Sequence, residues 1–173
     1  PPPMSIVDID STIADDNGRL RNLESEFRCK CHEVIVDSCP RKHDGSTYKD
    51  GAIEVYQSKG KDWAAYFAAV ANDLPILPMV KLLERLHDHL IVLVSGRPVQ
   101  NGPTLVGILT EDWLLKYNIP FDRLFLKTRD FHQKSVDFKK SIVEMLPRER
   151  VAYVFDDHPE CAQMYKRELP KAL

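Results

Sequence analysis

The sequence predicts an α/β protein built around a parallel sheet, because three short apolar runs alternate with segments of helical periodicity. The runs occupy residues 6–7, 90–94 and 151–155, and each is followed directly by polar residues. Strands that alternate with helices are typical of a parallel sheet covered by helices on both faces. In such a sheet, ligands bind at the carboxyl ends of the strands, so the residues after each run are the first candidates for function.

The elements can be assigned in order along the chain. Residues 14–21 are polar and are expected to form a turn after the first strand. Alanine and aromatic residues in 63–71 predict a buried helix, and Pro78 suits the first turn of a helix that ends near residue 87. No additional strand is evident after the last helix. The remaining expected strands and helices cover 90–95, 104–117, 123–126, 136–146, 151–155 and 158–168.

Composition restricts the class of protein. The chain has 173 residues, of which 43% are hydrophobic, enough for one domain with a sizeable core and too many for a disordered chain. With a formal net charge of −2, the chain as a whole does not attract nucleic acid electrostatically. Binding of a nucleic-acid polymer would therefore need a local patch of basic residues. No apolar run approaches the roughly 20 residues of a membrane span, and the first is too short for a signal peptide. We therefore expect no membrane partner and a cytoplasmic location.

Two aspartates stand one residue apart at the end of the first run, in the segment Asp8-Ile9-Asp10-Ser11-Thr12. At an extended strand end, Asp8 and Asp10 point to the same side. Two carboxylates placed together repel each other unless a cation lies between them. The pair therefore indicates a magnesium-dependent phosphoryl-transfer site, with one aspartate as nucleophile and the other as proton donor. An Asx-turn after a strand is the structural alternative.

Three later segments add a hydroxyl, a lysine and a second aspartate pair. The residues concerned are Ser95, then Lys139 and Lys140, then Asp156 and Asp157. In this order the motifs resemble the haloacid dehalogenase superfamily of phosphohydrolases, and the resemblance covers the chain from Ser5 to about Met164. It implies a Rossmann-like parallel sheet with a small cap insertion and Mg²⁺ as the cofactor.

The resemblance also implies roles in a two-step hydrolysis of phosphate monoesters. Asp8 is the expected nucleophile, which forms an aspartyl-phosphate. Asp10 is expected to protonate the leaving oxygen and then to deprotonate the attacking water, and this role requires a pKa raised toward neutrality. Ser95 would donate a hydrogen bond to the phosphoryl group, and Ile9 and Thr12 are further expected substrate-binding residues.

A lysine would neutralise the phosphoryl oxygens together with the nucleophile. Lys139 and Lys140 compete for this role, and Lys139 fits the superfamily better because it precedes Ile142 by three residues. The other lysine would then be a solvated residue at a helix start. The implied magnesium ligands are Asp8, the backbone carbonyl of Asp10, Asp157 directly and Asp156 through a water molecule.

Arg97 follows Ser95 by two residues, and a guanidinium can bind phosphate oxygens in a bidentate manner. The triplet Ser95-Gly96-Arg97 resembles the phosphatase domain of phage-type polynucleotide kinases, which removes 3′ phosphates from nucleic-acid ends. This narrower resemblance implies a phosphorylated nucleotide or nucleic-acid end as partner and, for a phage-encoded chain, the host cytoplasm as location. Segments 63–67, 73–76, 110–114 and 154–157 favour the same resemblance. A structural loop arginine is the alternative for Arg97.

Residues 28–62 are irregular and are expected to form a small cap between two parts of the core, 4–27 and 63–173. Thiolates and imidazoles close together suit tetrahedral zinc, which would stabilise a segment with little apolar content. The CxC spacing departs from the usual C-x2-C pattern, so an unligated cap is the alternative. The expected ligands of a structural zinc ion are Cys29, Cys31, Cys39 and either His43 or His32.

The combined patterns predict a magnesium-dependent phosphatase that removes 3′ phosphates from nucleic-acid ends. A nucleoside monophosphate or small-metabolite phosphatase is the alternative within the enzymes, and the acidic balance of the chain favours it. Basic residues in 28–62 favour a polyanionic substrate instead. Outside the enzymes, the alternative is a binding module that recognises nucleic acid or protein through the Cys/His insertion. Asp8 and Asp10 argue against that module, because a non-catalytic scaffold does not need both carboxylates.

Overall fold

The computed structural model describes residues 1–24, 26–29, 55–128 and 134–173. Its strands are β1 (Met4–Val7), β2 (Ala14–Asp15), β3 (Glu26–Cys29), β4 (Val55–Lys59), β5 (Leu74–Pro75), β6 (Leu90–Pro98), β7 (Arg123–Lys127) and β8 (Val151–Phe155). Its α-helices are α1 (Asn17–Leu20), α2 (Trp63–Ala68), α3 (Leu77–Arg85), α4 (Val106–Lys116), α5 (Ser135–Met145) and α6 (Pro159–Glu168).

The main sheet has four parallel strands in the order β7-β6-β1-β8. β1 therefore lies inside the sheet, with β6 on one side and β8 on the other. This arrangement confirms the predicted α/β class with a parallel sheet. Because parallel strands end at the same edge, the residues that follow β1 and β8 and those at the end of β6 come together there.

Side chains of β1 and β6 alternate between two hydrophobic cores, one on each face of the sheet. Ile6 and Val92 belong to the core that α5 and α6 cover, whereas Val7 and Leu93 belong to the core that α3 and α4 cover. Both faces of these strands are thus buried, which explains why their sequences are continuously apolar. The expected placement of helices on both faces is confirmed.

The main helices occur where apolar spacing predicts them, with their ends shifted by one or two residues. α3 carries Pro78 in its first turn and buries Val80 and Leu83. α4 begins at Val106 and buries Trp113 and Leu114 on the same face. None of the helices within the described ranges is long and apolar enough to cross a lipid bilayer.

Several segments differ from the sequence prediction. Residues 63–71, expected to form a buried helix, form α2 only as far as Ala68, and Trp63 at its start is 48% exposed. Residues 14–21, expected to be a turn, form β2 and α1, and β2 pairs antiparallel with β5. β6 continues through Ser95-Gly96-Arg97-Pro98, although glycine and proline favour a turn there. The neighbouring strand accounts for this extension, because β7 pairs with β6 as far as Pro98, after an irregularity that begins at Ser95.

The chain returns to the sheet after α6. The N–H of Leu173 donates to the carbonyl of Ala152 at 2.9 Å, and the N–H of Val154 donates to the carbonyl of Leu173 at the same distance. One residue therefore pairs with β8 on the side opposite β1, where the sequence indicated no further strand.

β3 and β4 form a separate antiparallel pair. β3 spans the expected boundary between core and cap at residue 28, and Cys29 is its last residue. The other expected zinc ligands, Cys31, His32, Cys39 and His43, lie outside the described residues. The zinc site and the division of the chain into core and cap both stay predictions.

Candidate active site

The carboxyl end of β1 continues into a tight turn that carries the first aspartate pair. Asp8 extends the sheet by one hydrogen bond, in which its N–H donates to the carbonyl of Phe155 at 2.8 Å. The carbonyl of Ile9 then accepts backbone hydrogen bonds from all three residues of 12–14. The turn therefore holds Asp8 and Asp10 at the edge where the parallel strands end.

Lys139 is the lysine that reaches Asp8. Its Nζ lies 2.9 Å from Oδ1 of Asp8 and 2.6 Å from Oδ2 of Asp156, and its side chain is buried. Burial alone would lower the pKa of Lys139, but the two carboxylates outweigh burial and raise it. Lys140 instead lies with Nζ 3.5 Å from Oε1 of Glu168 and is exposed. Of the two lysines that compete in the sequence, the structure brings Lys139 to the aspartates.

Asp8, Asp156 and Asp157 form an acidic cluster at the ends of β1 and β8. One carboxylate oxygen of each residue lies within 4.8 Å of the others. Burial raises the pKa of Asp8 to about 7, while the charge of Lys139 opposes this shift. Burial and the charge of Asp156 also raise the pKa of Asp157. Crowded oxygen donors that resist ionisation fit a hard divalent cation such as Mg²⁺.

The Asp10 carboxylate is held by two arginines. Arg97 places Nη2 at 2.6 Å from Oδ1 of Asp10, and its Nε lies 3.0 and 3.2 Å from the two carboxylate oxygens. Arg19 donates to the same Oδ1 through Nη2. Burial alone would raise the pKa of Asp10, but the charges and hydrogen bonds of Arg97 and Arg19 outweigh burial and lower it. The expected raised pKa of Asp10 is therefore wrong, because two buried cations stabilise the ionised form.

Asp73 completes a buried network of two arginines and two aspartates. Nε of Arg19 donates to Oδ1 of Asp73 at 2.8 Å, and Nη2 of Arg97 donates to Oδ2 at 3.1 Å. Nη1 of Arg97 donates to Oγ1 of Thr110 at 3.2 Å, and Nε1 of Trp113 donates to the backbone carbonyl of Asp73 at 2.8 Å. The charges of the network balance, which makes its burial acceptable and its geometry well defined.

The remaining expected site residues have buried side chains. Arg97 is 1% exposed and donates to protein groups through all three guanidinium nitrogens, so its contact with substrate stays a prediction. Ser95 is buried, and its Oγ accepts the N–H of Arg97 at 3.2 Å. The side chain of Ile9 lies in the core, so substrate contact by Ile9 is left to its backbone. Within the described part of the chain, the buried Oγ1 of Thr12 makes no hydrogen bond.

Gly96 lies where α5 approaches β6. A β-carbon built at Gly96 would lie 2.5 Å from Oγ and 3.2 Å from Cβ of Ser135, the first residue of α5. The hydroxyl could rotate away from such a contact, whereas the β-carbon could move only with the helix. The close approach of the helix that carries Lys139 therefore depends on a residue without a side chain.

An open cavity of about 340 Å³ is lined by charged residues on one part of its surface and by aromatic residues on another. Trp63, Tyr66 and Phe67 form this aromatic wall. The wall is anchored to the buried network through Tyr66, whose hydroxyl donates to Oδ2 of Asp16 at 2.9 Å. The guanidinium carbon of Arg19 lies 4.1 Å from the centroid of the Tyr66 ring. The lining of the cavity includes Asp8, Asp10, Arg97, Lys139, Asp157, Trp63, Tyr66 and Phe67.

Sequence reasoning missed Arg19 and Asp73 as site residues. Arg19 lies in the segment expected to be a turn, and no local pattern distinguishes it from a solvated arginine. Asp73 directly precedes β5, and the sequence indicated it only as part of segment 73–76, which supported the resemblance to polynucleotide kinase phosphatase domains. Their importance depends on contacts between elements that are distant in the sequence, and no local spacing encodes such contacts.

No protein-family model matches the chain, and no curated protein matches it. Solved structures of similar fold include the two described next. A structure of the Pnkp1/Rnl/Hen1 RNA repair complex matches with 20% identity and a TM-score of 0.61, over 97% of this chain and 40% of that chain. A structure of the Pnkp1/Rnl/Hen1 complex matches with 21% identity and the same TM-score, over 99% and 44% of the respective chains. The chain thus spans less than half the length of either matched chain, and at this identity the similarity supports the α/β fold.

Proposed function

We propose that the chain is a magnesium-dependent phosphomonoester hydrolase that acts on 3′-phosphorylated nucleic-acid ends through an aspartyl-phosphate intermediate. The observation that carries this proposal is the contact of Lys139 with Asp8, at 2.9 Å, within a cluster of three carboxylates. A buried ammonium beside a carboxylate nucleophile can neutralise a phosphoryl group that would otherwise be repelled. The motif resemblance to haloacid dehalogenase phosphatases supports the same reaction.

Asp8, Asp156 and Asp157 would hold the metal ion, because their oxygens are close together and at least two of them resist ionisation without a cation. When bound, Mg²⁺ supplies positive charge that complements the phosphoryl oxygens and the crowded carboxylates. Lys139 adds a second positive charge from the protein itself. The backbone carbonyl of Asp10 remains a further expected ligand, and Asp156 is expected to act through a water molecule.

The reaction proceeds in two balanced steps. A carboxylate oxygen of Asp8 attacks phosphorus, the bond from phosphorus to the leaving oxygen breaks, and Asp10 gives its proton to that oxygen. A water molecule then attacks the phosphorus of the aspartyl-phosphate, its proton passes to Asp10, and the bond between Asp8 and phosphorus breaks. Inorganic phosphate and an alcohol are the products, and both aspartates return to their starting states.

Arg97 and Arg19 determine the protonation state in which Asp10 awaits the substrate. Because Arg97 and Arg19 lower the pKa of Asp10, the resting carboxylate is ionised and suited to accept the proton of water in the second step. The first step requires the protonated carboxyl, a minor form at neutral pH. We therefore expect the first step to limit turnover when the leaving group is poor, because that step needs the protonated form of Asp10.

The nucleic-acid substrate is supported by two observations. The fold is similar to that in structures of Pnkp1/Rnl/Hen1 complexes, one of them described as an RNA repair complex. The Ser95-Gly96-Arg97 triplet resembles the phosphatase domain of phage-type polynucleotide kinases. A nucleoside monophosphate is the second candidate substrate, and the formal net charge of −2 favours it because the chain has no general attraction for polyanions.

A substrate panel with Mg²⁺ tests the proposal. The panel compares 3′-phosphorylated RNA and DNA oligonucleotides, their 5′-phosphorylated counterparts, nucleoside 3′-monophosphates and a sugar phosphate. We expect the 3′-phosphorylated oligonucleotides to have the highest kcat/KM and the Asp8→Asn variant to be inactive while remaining folded. Phosphate release by Asp8→Asn at the wild-type rate would exclude the aspartyl-phosphate mechanism.

A further inference from the structure

Trp63 is an exposed aromatic residue at the cavity that holds the charged site. It is 48% exposed, although tryptophan is mostly buried in globular proteins. It lines the same cavity as Asp8, Lys139 and Asp157. A large aromatic surface is therefore open to solvent beside the residues proposed to hold a phosphoryl group.

The position of the Trp63 side chain is well defined. Its ring stacks on Phe67 with centroids 5.8 Å apart and an interplanar angle of 23°, and it meets the edge of Tyr66 at 5.7 Å and 83°. The backbone carbonyl of Trp63 accepts a hydrogen bond from Nδ2 of Asn101 at 3.1 Å. Asp62 caps α2 by accepting the N–H of Ala65 at 2.9 Å.

The aromatic wall is also linked to the charged network. Tyr66 is held by Asp16 and by the guanidinium of Arg19, which itself donates to Asp10. The ring of Trp63 therefore lies at the end of a chain of contacts that starts at the proposed acid–base residue. Such an ordered surface loses little entropy when a ligand binds to it.

From these contacts we propose that Trp63 stacks against the nucleobase of the terminal nucleotide whose 3′ phosphate enters the Asp8 site. The inference rests on the proposed phosphatase function and specifies its substrate class. Stacking on an aromatic side chain accepts every base, because each base has a π face. Trp63 would thus select nucleotide ends over sugar phosphates without reading sequence.

Two matched substrates isolate the contribution of the base. One is an oligonucleotide that ends in an ordinary 3′-phosphorylated nucleotide, and the other ends in an abasic 3′-phosphorylated residue. We expect the wild type to prefer the base-bearing end by about five- to one-hundred-fold, mainly in KM, which is the usual range for stacking of one base. Trp63→Ala should remove this preference and leave hydrolysis of the abasic substrate nearly unchanged.

Two control variants separate stacking from a structural role. Trp63→Tyr keeps an aromatic ring and should retain most of the preference. Leu115→Ala removes an apolar side chain of α4 that is even more exposed than Trp63, and it should leave both substrates unaffected. Equal loss on both substrates in Trp63→Ala would mean that Trp63 supports the fold or the chemistry, and this result would overturn the inference.

Tryptophan fluorescence provides a readout that does not need turnover. The chain has two tryptophans, and Trp113 is buried with its indole N–H bonded to Asp73. In the inactive Asp8→Asn background, a nucleoside 3′-monophosphate should quench the emission, whereas inorganic phosphate should not. Trp63→Phe in the same background should abolish the quenching, because only Trp113 remains as a fluorophore.

The two experiments distinguish failure of this inference from failure of the proposed function. If the wild type hydrolyses no phosphate ester, the proposed function fails. Quenching of wild-type fluorescence by a nucleoside 3′-monophosphate then shows whether Trp63 still stacks on a base. If hydrolysis is observed but Trp63→Ala keeps the preference for the base-bearing end, the stacking is overturned and the phosphatase function stands. Quenching that persists in Trp63→Phe would also overturn the proposed stacking.

Discussion

Nζ of Lys139 lies 2.9 Å from Oδ1 of Asp8, whereas the adjacent Lys140 pairs with Glu168 at the surface. Two neighbouring lysines of the same helix thus serve as test and matched control. We expect Lys139→Met to lower kcat by about 10²–10³-fold, the usual loss when one group that stabilises transition-state charge is removed. Lys140→Met should retain wild-type kcat. Steady-state kinetics on a 3′-phosphorylated oligonucleotide measures both, and similar losses in the two variants would contradict this assignment.

Asp10→Asn should affect the two chemical steps differently according to the leaving group. p-Nitrophenol leaves without a proton, so the first step should survive with p-nitrophenyl phosphate, while the second step still lacks its base. We expect a rapid release of roughly one equivalent of p-nitrophenol per enzyme, followed by slow turnover. An alkyl phosphate should show neither phase.

Rapid-mixing absorbance measurements follow the p-nitrophenol released by this variant. Wild-type protein and Asp8→Asn are the controls, since the first should turn over steadily and the second should release nothing. Equal slowing of the aryl and alkyl esters by Asp10→Asn, without an initial phase, would argue against acid–base catalysis by Asp10.

Asp8 should make the stability of the metal-free protein depend on pH. Burial raises the pKa of Asp8 from 3.8 to about 7, so between these values the folded chain binds this proton more tightly than the unfolded chain. The free energy of unfolding contributed by Asp8 therefore falls as the pH rises through this window, and the loss is complete above about pH 7. Its size is on the order of 4 kcal/mol, since the shift spans about three pKa units and each unit corresponds to about 1.4 kcal/mol.

Thermal unfolding in the presence of a chelator measures this effect. Asn mimics the neutral carboxyl, so metal-free Asp8→Asn should gain stability relative to wild type as the pH rises from about 5 to about 8. Added Mg²⁺ should raise the Tm of the wild type at the higher pH more than that of the variant. A pH-independent difference between the two metal-free proteins would show that Asp8 is not the responsible group.

The predicted zinc site can be tested on the folded chain. Five potential ligands lie within residues 29–43, and we expect one zinc ion per chain by metal analysis of protein purified without chelator. Native alkylation followed by peptide mapping should show Cys29, Cys31 and Cys39 protected until a chelator removes the metal. Cys161 is the internal control, because it is buried and burial raises its pKa to about 11, so it should react only after unfolding. Free reaction of the other three cysteines in native protein without zinc would contradict the site.

The sequence predicts the fold class and the meeting of the two aspartate pairs for the same physical reason. Apolar runs such as 90–94 and 151–155 form strands because both their faces are buried, and parallel strands end at one edge. The apolar runs are local patterns, and the general geometry of parallel sheets turns them into an expectation about where distant residues meet. The preference for Lys139 over Lys140 came instead from the spacing of the resembled superfamily. In the structure Lys139 contacts Asp8, whereas Lys140 lies at the surface beside Glu168.

The surroundings of Asp10 could not be predicted in this way. The direction of its pKa shift depends on Arg19 and Arg97, which lie nine and 87 residues away in the sequence. Burial raises the pKa of Asp10 and the arginine contacts lower it, so the outcome depends on distances that only the three-dimensional structure gives. The extension of β6 through Gly96 and Pro98 is a similar case, because pairing with β7 overrides the local preference for a turn.

Gly96 contributes to the site through packing and carries no chemical group of its own. A methyl group at this position would require the hydroxyl of Ser135 to rotate and its β-carbon, at the start of α5, to give way by a few tenths of an ångström. Every acidic and basic residue of the site would still be present in such a sequence. A comparison that scores only those charged positions would not register a change in how closely the helix that carries Lys139 packs against β6.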